Sequence, residues 1–168
     1  MRDLELPSVH HVTIGYTGTP GERTFFFQVE DDDHRITLAL EKRQAVGIAD
    51  LLTQLLVRLD DDAATDWDRD AMALRPPLDP DWRIGEIAVG VDPQTQQFLI
   101  ELTEISDEET DDVAGLRVFI DRDQARRLAA QAREQASQGR PRCTLCGRPT
   151  SAAGDHVCPM TNGHGDLS

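Results

Sequence analysis

The chain has 168 residues, which suits one domain or a domain with a small appendage and is long enough to bury a core. Its 17 Lys and Arg against 31 Asp and Glu leave a formal charge of -14. That surface repels free nucleic acid, whose binding relies on basic side chains neutralising phosphates. No stretch approaches the ~20 apolar residues that cross a bilayer, and the N-terminus lacks an apolar core of signal-peptide length. A soluble, cytoplasmic protein without membrane contact is therefore expected.

In VTIGYT, the apolar residues Val12, Ile14 and Tyr16 alternate, the period of a half-buried strand. A turn at Gly18–Glu22 leads to RTFFFQV, which is rich in β-forming residues. The acidic EDDDH, residues 30–34, then separates it from RITLAL, as in a hairpin. His34 is expected to be solvated there. Ala45, Ile48, Ala49, Leu52, Leu55, Leu56 and Leu59 recur at helical spacing. The acidic residues 60–70 end that helix, and RPPLDPDW, residues 75–82, cannot be helix interior. Residues 60–80 read as an acidic linker, with the stretch 60–70 mobile.

The second half repeats the outline. RIGEIAVGV, QFLIELTEI and LRVFI read as three strands separated by a turn and an acidic loop. A second helix begins at Asp121, an N-cap with Gln124 in the capping-box position, and presents Ala125, Leu128, Ala129, Ala132 and Ala136. The joints RITLALEKRQ and LRVFIDRDQ share a strand followed by acidic-basic-x-Gln and a helix. Two readings of that match stand side by side, internal duplication and the commonness of such joints. Either way the expected fold is α+β: two β-β-β-α units, an antiparallel sheet, two helices and a small C-terminal zinc-knuckle-like module. The expected boundaries are a domain over 1–139, with halves at about 9–60 and 81–138, and a metal module with tail over 140–168.

All three cysteines fall in that last segment. Cys143 and Cys146 form C-x-x-C followed by Gly147, and His156 and Cys158 follow within a short span. In a reducing compartment such a cluster favours a metal over a disulfide, and three cysteines cannot all pair within one chain. Cys143, Cys146, His156 and Cys158 make a Cys3His set, a tetrahedral zinc combination closed by four protein ligands, which points to a structural rather than catalytic ion. A thioredoxin-like dithiol would open a helix after a strand; here Arg140-Pro141-Arg142 precedes the motif and Gly147-Arg148-Pro149 follows it.

PGERTFFFQVED, ALEKRQ, WRIGEIAVG and the ending PRCTLCG…HVCP…NGH together resemble an actinobacterial family, domain-of-unknown-function family number 3090. The likeness runs over nearly the whole chain. It implies the same metal role for Cys143, Cys146, His156 and Cys158, and it names no activity.

No nucleophile elbow, phosphate-binding loop or H-E-x-x-H motif is present. His10 and His11 lie near the chain start, where exposed histidines usually have no special role. Arg23, Arg43, Arg83 and Arg117 stand near strand and helix ends, where they serve salt bridges or frame an anion. Trp82 is expected to cap the core; Trp67, among aspartates, either anchors a partner or packs back on the domain. The sequence thus favours a non-catalytic protein with a structural zinc and a binding role towards a protein partner or small ligand. The alternative is an enzyme or ligand-binding domain with its site in the cleft between the halves, and a pocket lined by Arg23, Arg83 or His11 would favour that alternative. Nucleic-acid binding through the C-terminal segment ranks third, since no aromatic residue is there to stack on bases.

Overall fold

A computed structural model describes residues 2–59, 61–63, 65–107 and 112–138. The elements in chain order are β1 (Arg2–Leu6), β2 (His11–Thr17), β3 (Thr24–Glu30), β4 (Arg35–Leu40), α1 (Lys42–Arg58), β5 (Trp82–Val91), β6 (Phe98–Glu104), β7 (Ala114–Ile120) and α2 (Arg122–Ser137). Two β-β-β-α successions are present, and the chain is α+β.

The expected antiparallel sheet is overturned. The seven strands form one mixed sheet in the order β1-β7-β6-β5-β4-β3-β2. The hairpin-linked pairs are antiparallel, but β4 pairs with β5 in parallel and β1 with β7 in parallel. The physical reason is the crossover: α1 and residues 59–81 separate β4 from β5, and a long connection returns the chain to the same end of the sheet. β1 was not anticipated, because RDLEL offers only Leu4 and Leu6 to the core. The expected zinc-knuckle-like module, residues 140–168, lies outside the described residues and is no part of the fold that the structure shows.

β1 and β2 are the opposite edges of the sheet, yet only residues 7–10 join them. Five residue steps span at most about 18 Å, whereas six strand spacings across a flat sheet come to about 29 Å. The sheet is therefore rolled, and its edges approach each other at a seam. α2 follows β7 but packs on β2 as well as on α1, so α2 spans the seam while α1 lies against the central strand β5. Inward-facing Ile14, Phe27, Leu38, Ile100, Leu116 and Val118 meet Ile48, Leu52 and Leu128 in one core drawn from both halves. Trp82 packs against its margin.

The acidic-basic-x-Gln joints are helix N-termini. Gln124 and Asp121 form both halves of a capping box, at 2.9 and 2.7 Å. In α1 the Gln44 Oε1 accepts from the Glu41 amide at 2.7 Å. Each glutamine also reaches the other half. Gln44 Nε2 donates to the Ile84 carbonyl at 3.1 Å, and Gln124 Nε2 to the Val9 carbonyl at 2.7 Å. Gln124→Ala removes a cap and a link across the seam together. It is expected to cost about 1–2 kcal/mol in urea unfolding; a loss below a few tenths would show that the seam does not need this bond.

Residues 65–81 are a strap over the outer face of β2–β4. Trp67 Nε1 donates to Gln131 Oε1 of α2 at 2.8 Å, and the Arg69 guanidinium lies 4.2 Å over the Trp67 ring while pairing with Glu134. Thr13 Oγ1 donates to the Met72 carbonyl at 2.6 Å. Gln28 Oε1 accepts from the Arg75 amide and Gln28 Nε2 donates to the Arg75 carbonyl, both at 2.8 Å. Asp81 and Thr37 exchange two more bonds before β5 begins. Leu74 lies so close over Gly15 that a Cβ there would sit 2.8 Å from Leu74 Cγ, a contact only glycine permits.

Candidate functional site

Because Val12, Ile14 and Tyr16 face the core, His11, Thr13 and Gly15 must face outward. On a bare sheet they would be solvated. The strap changes that: His11, Thr13, Gln28, Glu30 and Thr37 are all buried polar residues beneath or beside it. His11, expected among exposed histidines, has only 3% of its side chain accessible, while His10 is half-exposed.

Burial and, next, the Arg75 charge push the His11 pKa below its ordinary value, against the opposing pull of Glu30 and Gln28. Its Nε2 has no hydrogen-bond partner among the described residues and lies 4.0 Å from Glu30 Oε2. Burial works to raise the Glu30 carboxyl, but bonds from Arg35 at 3.1 Å and Arg75 at 2.8 Å overcome it and hold the pKa below the ordinary value.

Both groups make acid destabilising, by different routes. His11 stays neutral in the fold while the unfolded histidine protonates below about pH 6.5. The unfolded state then binds more protons, so stability falls as pH drops from about 6.5 towards the lower folded pKa. His11→Gln is expected to flatten that part of the stability profile, by at most about 1.4 kcal/mol per pH unit for one proton. Glu30, with its folded pKa lowered, contributes stability above the ordinary carboxyl range that is lost as pH falls through and below it. Urea unfolding across pH 4–7 checks both; an unchanged slope in His11→Gln would refute the His11 assignment.

A cavity of about 270 Å³ opens at the seam, where the strap passes from α2 to β2. β2 and its preceding residue supply His10, His11 and Val12; the strap supplies Asp68, Ala71 and Met72; α2 supplies Gln124 and Arg127. Asp68 Oδ1 is occupied by the amides of Asp70 and Ala71. Gln124 is committed to its cap and to Val9. Arg127 pairs with no carboxylate among the described residues. Arg127, His10 and His11 line it as potential donors beside Asp68, with His10 Nε2 3.9 Å from Asp32 and His11 Nε2 4.0 Å from Glu30, and Val12, Ala71 and Met72 supply an apolar wall.

The other arginines singled out from the sequence are not gathered. Arg43 pairs with Glu41, Arg117 bridges Glu5 and Glu101, and Arg23 stacks 4.1 Å over Tyr16. His34 bonds Asp31 in its turn. Trp67 packs back on α2. Cys143, Cys146, His156 and Cys158 lie outside the described residues, among which no group of three or more His, Cys, Asp or Glu side chains is placed to hold a metal. No described helix is long and apolar enough to cross a membrane. Sequence reasoning missed Arg127 and Asp68, which look like any charged residue on a helix or in an acidic run. It undervalued His11, although three consecutive phenylalanines in β3 signal a strand covered on both faces.

The rolled mixed sheet, helices and seam define an α+β protein with a cavity between its halves. A family model described as a protein of unknown function, DUF3090, matches residues 4–158, and the chain belongs to that family. Among curated proteins and solved structures, none matches the chain.

Proposed function

We propose that the chain is a non-catalytic binding protein that takes a small ligand into the seam cavity. The carrying observation is a cavity to which both halves and the strap contribute, with the buried His11, whose Nε2 has no hydrogen-bond partner among the described residues, in its lining. Convergent polar groups beside an apolar wall are the usual make-up of a small-molecule site. The volume of about 270 Å³ lies just below the usual range of about 300–1,000 Å³ for such sites, which favours a small metabolite over a peptide.

A fragment library screened by NMR on the full-length chain tests this. The expected result is a set of small fragments that shift the His10, His11 and Met72 signals and are recovered unchanged. Hits confined to other surfaces would refute the binding site; chemical conversion of a bound fragment would refute the non-catalytic role.

The reading includes a structural zinc on Cys143, Cys146, His156 and Cys158, supported by the thiolate-rich donor set and its spacing, and residence in the cytoplasm, where such thiols stay reduced. It also includes an internal duplication. That is supported by the glutamine that caps each helix and reaches into the opposite half.

A further inference from the structure

We propose that the seam cavity selects a small anion with an apolar body, its charged group held by Arg127, His10 and His11. This rests on the ligand-binding reading above and specifies its chemistry. Of the four α2 arginines, Arg126 is paired with Asp61 and Asp123, Arg133 with Asp50, and Arg122 lies in the field of Asp61. Arg127 pairs with no described carboxylate and faces the cavity. On a chain of formal charge -14, a guanidinium that pairs with no described carboxylate in a concave site opposes the surrounding field, and concave sites focus such fields.

The buried His11 Nε2 is a second, independent pointer. A ligand oxygen placed beside it would satisfy the nitrogen in its N–H or protonated form, and charge-assisted bonds to an anion are the stronger kind. Asp68 and the Asp32 and Glu30 carboxylates beside His10 and His11 repel an anion, so the charged group belongs nearest Arg127 on α2, with Val12 and Met72 left for the apolar body. At the corresponding joint of the first half, three residues beyond Gln44, stands Gly47 rather than an arginine. Only the seam joint carries this cation.

The test titrates the full-length chain, with isotope-labelled histidines, with hexanoate, 1-hexanol and hexylammonium, which share a tail and differ in charge. Hexanoate is expected to give saturable shifts at His10 and His11 and to bind about tenfold or more tighter than the other two. Arg127→Gln, at a half-buried position, is expected to weaken hexanoate by about tenfold or more, as loss of a bond to a charged group does. Hexanol or hexylammonium binding as tightly as hexanoate would overturn the anion assignment while leaving the cavity a ligand site. Undiminished hexanoate binding by Arg127→Gln would overturn the role of Arg127. No shift at either histidine with any of the three would overturn both the anion and the ligand site.

Discussion

Gln28→Ala is expected to destabilise the protein by about 2–4 kcal/mol, more than an ordinary polar-to-alanine change. Gln28 is fully buried in β3. Its carboxamide acts like a short piece of neighbouring strand, accepting from the Arg75 amide and donating to the Arg75 carbonyl and to Thr37 Oγ1. Truncation leaves three polar groups without that partner and opens a void. Each buried group so orphaned costs about 1–3 kcal/mol, and the low end applies to Arg75, which is exposed enough for water to reach. On a domain of this size the melting temperature should fall by roughly 5–15 °C. Hydrogen exchange should accelerate at Met72 and Arg75 before it does in β6, because the strap is the element released. A loss under about 1 kcal/mol would mean that the strap is held by Thr13, Asp81 and Leu74 without Gln28.

The purified full-length chain is expected to hold about one zinc, and Cys146→Ser to lose it. Structural zinc sites in small peptides contribute on the order of 10–16 kcal/mol of binding free energy at neutral pH, so a weakly held trace of metal would not fit. Chelation is expected to leave the thermal transition of the α+β domain nearly unmoved, since its core is built from residues between Leu6 and Ala132. The metal term would appear as loss of order in the C-terminal segment alone. Elemental analysis and calorimetry check this. Metal-free protein with three freely reacting thiols and a native domain would remove the zinc assignment and turn attention to thiol chemistry.

These two effects separate what acts at long range from what acts locally. Gln28 meets Arg75 across 47 positions, whereas the four proposed zinc ligands fall within 143–158 and can be read as a motif. The same division explains why His11 looked unremarkable. Its environment comes from Glu30, Arg75 and the strap, none adjacent to it in sequence.

By itself, the sequence determined the locally encoded parts of this protein. The alternation in VTIGYT, the helical spacing from Ala45 to Leu56 and the capping glutamines at 44 and 124 each act within a few residues, so each is legible without coordinates. The tertiary structure alone decided which strands pair. Parallel β4–β5 and β1–β7 pairing depends on a crossover and on a five-residue strand too short to declare itself. It also decided that residues 65–81 lie down on the sheet, because buried glutamine and threonine side chains replace the apolar signal that usually marks a covered face. The candidate site arises from those two long-range facts: a seam that brings α2 to β2, and a strap that closes over His11.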